Sequence, residues 1–216
     1  MSPIKICGLT RADDALAAAE AGANLLGIIF HPPSSRAVRP TEASSLVREI
    51  RQRTPSAKWV GVFVDTPIEQ IRQVVDTVGI DGVQLHGDED PEVVDRLVRD
   101  GLFVIKAFRV ATRADLEGLD AYAPSAFLLD TFVPGRHGGT GQTFDWSIAV
   151  HAAAERRILL SGGLTPGNVA SAVEAVHPWG VDVSSGVESS PGRKDVEKMR
   201  TFIAAAERAL DGKGSE

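Results

Sequence analysis

The chain has 216 residues, 43% of them hydrophobic, and its 29 acidic and 23 basic residues give a net charge of -6. This size suits one buried core, so we predict a single domain over residues 1–216. The acidic balance disfavours a nucleic-acid partner, and the lack of a secretion signal or of about 18 consecutive apolar residues predicts a cytoplasmic protein without a membrane partner.

Short apolar runs alternate with segments of helical character along the whole chain. The predicted strands are Ile4–Cys7, Leu25–Ile29, Trp59–Val64, Gly82–Leu85, Phe103–Ala107, Phe127–Leu129, Ile158–Leu160 and Val181–Val183. The predicted helices are Arg11–Ala21, Thr41–Arg51, Pro67–Val78, Pro91–Arg99, Arg113–Tyr122, Asp145–Glu155, Asn168–Val176 and Lys194–Leu210, followed by a frayed tail at 211–216. Such alternation implies parallel strands with right-handed crossovers, and eight units close most economically into a (β/α)8 TIM barrel. An open doubly wound sheet is the alternative.

Proton-transfer chemistry is available at two predicted strand ends. In a barrel, the carboxyl ends of all strands meet at one mouth, where active sites of this fold lie. Cys7, the only cysteine in the chain, and Asp130 would both reach that mouth. An isolated cysteine is more often a small buried hydrophobic residue, but a thiol and a carboxyl group at one rim can act as base and acid on a small substrate.

A phosphate site is predicted after the last two strands. Gly162 and Gly163 follow the seventh strand, and Ser185 and Gly186 follow the eighth. The alternative is that these glycines only form tight turns and bind nothing. Small residues in consecutive loops at this end of a barrel leave backbone N–H groups uncovered, which favours binding of a phosphorylated small molecule.

Arg36 and His86 are further candidates at the mouth. Arg36 follows two prolines and two serines that restrict the backbone, so its guanidinium could clamp a carboxylate. His86 lies in a turn, where histidine more often has a structural hydrogen-bonding role. The five histidines show no metal-ligand spacing, and the glycines at 135–141 do not open a first βαβ unit, so we expect neither a metal nor a dinucleotide.

Seven sequence blocks together resemble the phosphoribosylanthranilate isomerase family, in the family's order and across essentially the whole chain. The blocks are Lys5–Thr10, Phe30–Arg36, Val60–Val64, Val83–Gly87, Leu129-Asp130 with the Gly-Gly-Thr-Gly loop and Phe144–Trp146, Leu160–Leu164, and Val181–Glu188. The resemblance implies an Amadori rearrangement of N-(5'-phosphoribosyl)anthranilate to 1-(o-carboxyphenylamino)-1-deoxyribulose 5-phosphate, a cofactor-free step of tryptophan biosynthesis.

The resemblance also implies a role for each candidate residue. Asp130 corresponds to the general acid that opens the furanose ring, and Cys7 corresponds to the general base that removes the C2' proton. Arg36 corresponds to the residue that meets the anthranilate carboxylate. The remaining residues are implied to bind substrate, as phosphate-cradle members or as supporting groups: Gly162, Gly163, Ser185, Gly186, Asp182 and His86. Arg136 and His137 stay unassigned, and we expect a monomer or a homodimer.

Two other functions compete with this interpretation. One is another sugar-phosphate isomerase or epimerase of the same barrel class, but those enzymes use paired aspartates at strand ends where this chain has Cys7 and Ala107. The other is a non-catalytic barrel that binds a phosphorylated ligand. Loss of the thiol or of Asp130 would have favoured it, and both are present.

Overall fold

Eight parallel strands close into a barrel in the computed structural model, which describes residues 2–131 and 145–212. Each strand pairs with the next along the chain, and the last pairs with the first. The strands are β1 (Ile4–Ile6), β2 (Leu25–Ile29), β3 (Lys58–Phe63), β4 (Gly82–Leu85), β5 (Phe103–Val110), β6 (Ala126–Thr131), β7 (Ile158–Leu160) and β8 (Gly180–Val183). The predicted barrel is therefore confirmed, and the open sheet is wrong.

Within the described residues, seven α-helices surround the barrel. They are α1 (Ala12–Glu20), α2 (Pro40–Arg53), α3 (Ile68–Val78), α4 (Pro91–Arg99), α5 (Ser147–Glu155), α6 (Val169–Val176) and α7 (Val196–Asp211). Proline occupies the first turn of α2 and α4, where its missing N–H costs no helical hydrogen bond. Gly79 ends α3 in the left-handed conformation (φ 75°) that glycine adopts without strain.

The helix predicted at Arg113–Tyr122 is wrong. This segment forms two 3₁₀ turns, Arg113–Leu116 and Leu119–Ala121. The Asp115 carboxylate accepts the backbone N–H groups of Ala111 and Thr112 at 2.9 and 2.7 Å, which closes one tight turn. Leu119 is the only residue of the two turns that is buried, so the segment has no apolar stripe that packing could hold as a longer helix.

Several element boundaries also differ from the prediction by one to three residues. Strand β5 continues past Ala107 to Val110, because β6 pairs with it as far as Thr131. Lys194 belongs to a short antiparallel hairpin, β9 (Glu188–Ser190) with β10 (Arg193–Lys194), and α7 starts two residues later. The glycine-rich loop at 135–141, with Arg136 and His137, and the tail at 213–216 lie outside the described residues.

The barrel interior changes from apolar to polar toward the carboxyl ends of the strands. Six buried apolar side chains form a separate internal cluster: Leu25, Val60, Ile105, Ala107, Leu128 and Leu159. Side chains alternate between the two faces of a strand, so the residue two positions later points the same way. That step leads from Leu128 to Asp130 and from Leu159 to Ser161, which places polar groups above an apolar floor.

Candidate active site

A cavity at the carboxyl ends of the strands brings together every residue that the sequence analysis proposed for the site. Its lining includes Cys7, Arg36, His86, Asp130, Gly162, Gly163, Asp182, Ser185 and Gly186. Polar side chains that the sequence analysis left out also line it: His31, Ser34, Gln84, Ser161 and Ser184. A thiol, two aspartates, an arginine and two glycine turns thus share one open space.

Cys7 follows β1 directly and lies almost completely buried, with 5% of its surface exposed. Its N–H donates to the Val183 carbonyl at 2.8 Å, which fixes the backbone against β8. Burial raises the pKa of the Cys7 thiol, and the ammonium of Lys5 is the strongest influence that lowers it. A side chain at Gly27 would approach both the Cys7 sulfur and Lys5 Nζ, at 2.9 and 3.2 Å, so glycine leaves the room that these groups occupy.

Asp130 is also buried, and its two oxygens have different neighbours. Oδ1 accepts the N–H of Thr131 at 2.8 Å, whereas Oδ2 lies 3.4 Å from Nε2 of His86. The amide nitrogen of Gln84 lies 2.9 Å from His86 Nδ1. If the Gln84 amide donates to Nδ1, the ring tautomer that results carries its hydrogen on Nε2, facing Asp130. Gln84 thereby orients the His86 ring, which lies against the carboxyl group.

Asp182 and Lys5 form a buried ion pair beneath Cys7. Lys5 Nζ lies 2.7 Å from Oδ1 of Asp182, and the hydroxyl of Ser161 donates to Oδ2 at 3.0 Å. In the sequence, Lys5 lies within the apolar run that predicts the first strand. Its spacing was the available signal, because a lysine two residues before Cys7 in a strand must point to the same side of the sheet.

Arg36 is held by a partner that sequence analysis missed. Its Nε and Nη2 donate to Glu188 at 2.8 and 2.6 Å, and Lys194 Nζ reaches Oε1 of the same carboxylate at 2.9 Å. The two cations outweigh one anion, so this cluster keeps a net positive charge for an anionic ligand. The orientation of Arg36 therefore rests on Glu188 as well as on its own loop, where its N–H donates to Ser34 Oγ at 3.1 Å.

We expect Glu188→Gln to destabilise the protein near neutral pH, by about 1–3 kcal/mol, because the buried Lys194 and the partly buried Arg36 lose their anion. Burial raises the pKa of Glu188, but Arg36 and Lys194 outweigh that effect and hold it below its ordinary 4.5. The stabilisation that the Glu188 carboxylate gives the folded protein is therefore complete above pH 4.5. It is lost as the pH falls through the lowered pKa of the folded state.

Urea unfolding of wild type and Glu188→Gln at pH 7, 5 and 3 checks this expectation. The difference between the two proteins should be largest at pH 7 and shrink toward pH 3. Glu197→Gln is the matched control, because the Glu197 side chain is 80% exposed and its ion pair should contribute little at any pH. A constant difference across the three pH values would contradict the assignment.

The turns after β7 and β8 form a continuous backbone surface. Gly162 and Gly163 have φ values of 84° and 65°, a region that favours glycine. A side chain at Gly186 would overlap the Leu164 carbonyl, so the two turns pack directly on each other. Asn168 fixes the first turn, since its side chain accepts the Thr165 N–H at 2.7 Å and donates to the Gly163 carbonyl at 3.0 Å.

Three buried polar atoms in the cavity lining have no hydrogen-bond partner among the described residues. They are Gln84 Oε1, His86 Nε2 and Ser184 Oγ. Buried polar groups are normally paired, so unpaired atoms in one cavity point to a polar ligand. In the described ranges, no group of three or more His, Cys, Asp or Glu side chains could hold a metal ion. No described helix is long and apolar enough to span a membrane.

Comparison with known proteins gives consistent matches over nearly the whole chain. Residues 4–205 match the family model for N-(5'phosphoribosyl)anthranilate (PRA) isomerase. The N-(5'-phosphoribosyl)anthranilate isomerase of Pelobacter propionicus is 49% identical over 206 residues, covering 95% of this chain and 96% of that protein.

Two solved structures agree in fold as well as in sequence. The phosphoribosyl anthranilate isomerase of Thermotoga maritima superimposes with a TM-score of 0.88 at 41% identity, covering 96% of this chain and 100% of that one. A phosphoribosyl anthranilate isomerase in complex with reduced 1-(o-carboxyphenylamino)-1-deoxyribulose 5-phosphate gives a TM-score of 0.85 at 39% identity, with the same coverage. From sequence and fold together, the chain belongs to the N-(5'-phosphoribosyl)anthranilate isomerase family.

Proposed function

We propose that this enzyme rearranges N-(5'-phosphoribosyl)anthranilate to 1-(o-carboxyphenylamino)-1-deoxyribulose 5-phosphate with Cys7 as general base and Asp130 as general acid. The observation that carries the assignment of roles is the shared cavity, which Cys7 and Asp130 line together with Arg36 and the two glycine turns. Each of these groups matches one chemical feature of the substrate: two sites of proton transfer, a carboxylate and a phosphate.

The anionic ends of the substrate determine its orientation. The turns at Gly162 and Gly186 line the cavity and suit the phosphate, since backbone N–H groups of successive turn residues can bind an anion. Arg36 suits the carboxylate on the aromatic ring, because Glu188 holds Nε and Nη2 and leaves Nη1 without a partner among the described residues. With both ends held, the ribose lies between the turns and Arg36, near Cys7 and Asp130.

Asp130 performs the first step, in which the furanose ring opens. Its carboxyl proton goes to the ring oxygen, the bond from that oxygen to C1' breaks, and the amine nitrogen supplies electrons to form a protonated Schiff base. The resulting Asp130 carboxylate receives the Thr131 N–H and faces Nε2 of His86. The Thr131 N–H stabilises the charge that ring opening leaves behind, and so does His86 in the tautomer that carries its hydrogen on Nε2.

Cys7 performs the second step. Its thiolate removes the C2' proton, and the C2'–H electrons form the double bond to C1' while the Schiff base becomes a neutral amine. The enolamine then ketonises, losing the 2'-hydroxyl proton and gaining a proton at C1'. Protons gained at the ring oxygen and C1' balance those lost from C2' and the 2'-hydroxyl, so the sequence is an isomerisation that needs no redox cofactor.

A substrate panel tests the reaction class. The protein is incubated with freshly made phosphoribosylanthranilate, with ribulose 5-phosphate and with the phosphorylated aminoaldose of histidine synthesis, and products are identified by NMR. We expect the carboxyphenylamino-deoxyribulose phosphate from the first substrate and unchanged starting material from the others. Turnover of ribulose 5-phosphate alone would favour an epimerase, and turnover of none of them would favour a non-catalytic binding protein.

Arg36→Met should raise KM by roughly 10–100-fold, the range expected when a charged hydrogen bond to the substrate is lost. The effect on kcat should be small, because Arg36 contacts the substrate before and during the reaction alike. Steady-state kinetics with phosphoribosylanthranilate provide the measurement.

The phosphoribosylamine of aniline, which lacks the carboxylate, is the matched control for Arg36→Met. Wild type and variant should show nearly equal KM values for it, because the group that Arg36 recognises is missing. A KM increase of the same size for both substrates would mean that Arg36 acts on something other than the carboxylate.

The proposed chemistry indicates where the enzyme works. The substrate carries a phosphate and a carboxylate and cannot readily cross a membrane, so we propose that the enzyme works in the cytoplasm, where its thiol stays reduced.

A Thermotoga maritima structure, 39% identical with a TM-score of 0.85, contains monomers generated from a dimeric phosphoribosylanthranilate isomerase. For this chain we propose a monomer or a homodimer.

A further inference from the structure

Lys5 is a charged residue inside the barrel that the steps above do not use. Its side chain has no exposed surface, and it lies on β1 two residues before Cys7, on the same face of the strand. Burying a cation is unfavourable unless partners compensate for the lost hydration. A lysine in this position therefore needs an explanation beyond packing.

The partners of Lys5 account for its charge. Asp182 lies 2.7 Å from Nζ through Oδ1, while its other oxygen accepts the Ser161 hydroxyl. An ammonium group has three donors, so the Asp182 pair leaves capacity for a second acceptor. The Cys7 sulfur lies on the same side of β1 and close to Nζ, since a Cβ built at Gly27 would lie 2.9 Å from Sγ and 3.2 Å from Nζ.

Four charged groups influence Cys7, and they come from different elements. Burial raises the pKa of the thiol most strongly, and Lys5 is the largest opposing influence. Asp182 raises the pKa further, whereas Lys194 on β10 lowers it. Arg36, from the loop after β2, also interacts with the charge on Cys7. Among these cations, Lys5 is thus the one that favours the thiolate most strongly.

We propose that Lys5 is a positioning residue for the base, holding its ammonium between Asp182 and the Cys7 sulfur so that the buried thiol can exist as a thiolate. This inference deepens the proposed function and rests on it for the catalytic meaning of the thiolate.

Asp182 has a defined part in this arrangement. Burial lowers the pKa of Lys5, but Asp182 and Cys7 together hold it above its ordinary 10.5, so Lys5 keeps its proton beside the thiolate. The Lys5–Asp182 pair therefore acts on the sulfur as a fixed pair of charges, and Lys5 does not donate a proton in the reaction. When Cys7 takes up the C2' proton, Lys5 and Asp182 neutralise each other, and no unpaired charge stays buried.

The single cysteine allows a direct test. The rate of alkylation by iodoacetamide between pH 6 and 10 reports the thiolate fraction of Cys7 alone, since the chain has no other thiol. In Lys5→Met the alkylation midpoint should move upward by about one pH unit or more, with roughly tenfold slower alkylation at pH 8. A midpoint equal to that of wild type would overturn the proposal.

Lys106→Met is the matched control for the substitution itself. Lys106 is another buried lysine at the mouth, paired with Glu89 at 3.0 Å, and it is absent from the influences on Cys7. Its loss should leave the alkylation midpoint unchanged. An equal midpoint shift in Lys106→Met and Lys5→Met would mean that loss of any buried lysine perturbs the thiol, and would overturn the specific role of Lys5.

A second variant covers the case in which Lys5→Met does not fold because Asp182 is left unpaired. Lys5→Met/Asp182→Asn removes both charges, and the midpoint should lie between those of wild type and Lys5→Met, because Asp182 opposed the thiolate. If only the double variant folds, a midpoint above that of wild type supports the proposal and a midpoint at the wild-type value overturns it.

The pH dependence of kcat/KM separates this inference from the proposed function. For phosphoribosylanthranilate, the acid limb of the Lys5→Met profile should shift upward with the alkylation midpoint, so that activity partly recovers as the pH rises. A shifted alkylation midpoint in a protein whose wild type does not turn over phosphoribosylanthranilate would support Lys5 and refute the proposed function. If wild type turns over phosphoribosylanthranilate but Lys5→Met leaves the alkylation midpoint unshifted, the proposed function is supported and the role of Lys5 is refuted.

Discussion

Cys7→Ala is expected to lower kcat for phosphoribosylanthranilate by about 10²–10⁴-fold, the usual contribution of a general base. In the proposed mechanism the thiolate removes the C2' proton, and alanine offers no acceptor at that position. KM should change much less, because the phosphate and carboxylate contacts do not involve the sulfur. Stopped-flow and steady-state fluorescence of the anthranilate group provide the measurement.

Two controls separate the loss of the base from a loss of structure. The backbone N–H of residue 7 still donates to Val183, so the melting temperature of Cys7→Ala should stay close to that of wild type. Binding of the reduced product analogue, measured by calorimetry, should also persist. Near-normal kcat in the alanine variant would rule out Cys7 as the base.

Asp130→Asn should reduce kcat by a similar factor of about 10²–10⁴, through loss of the general acid. Asparagine keeps the shape of the side chain and still accepts the Thr131 N–H, but its amide cannot deliver a carboxyl proton to the ring oxygen. The furanose ring then has to open without an acid, so ring opening, the step that forms the Schiff base, is the step that slows. Steady-state kinetics and the melting temperature measure the two effects separately.

Asp88→Asn is the matched control for Asp130→Asn. Asp88 lies near the mouth after β4, but its side chain is 86% exposed and its partner is Arg109. The same change there should leave kcat close to that of wild type. Equal losses in the two variants would show that the effect comes from altered charge at the mouth and not from removal of an acid.

The barrel could be predicted from the sequence because strand and helix periods alternate so regularly. Buried parallel strands give short apolar runs, and their order leaves few possible topologies. The segment at 113–122 misled the prediction, because Asp115 forms local hydrogen bonds that compete with a helix. The end of β5 was missed because its length depends on pairing with β6, which a single strand's sequence does not contain.

The candidate site was predictable at the strand ends and much less so in its supporting contacts. Once the barrel is assumed, Cys7 and Asp130 must reach the same mouth. Lys5 pairs with Asp182 across 177 positions, and Arg36 pairs with Glu188 across 152. Such pairs follow from the closed barrel and its loops, so local patterns could place each charge but not identify its partner.

The most direct test of the proposed isomerase activity is the loss of substrate fluorescence when wild-type protein is added to freshly made phosphoribosylanthranilate. We predict catalysed conversion with a kcat/KM in the usual enzymatic range of about 10⁴–10⁸ M⁻¹s⁻¹. The rate should rise in proportion to enzyme concentration. A decay no faster than the uncatalysed loss of the substrate would contradict the account.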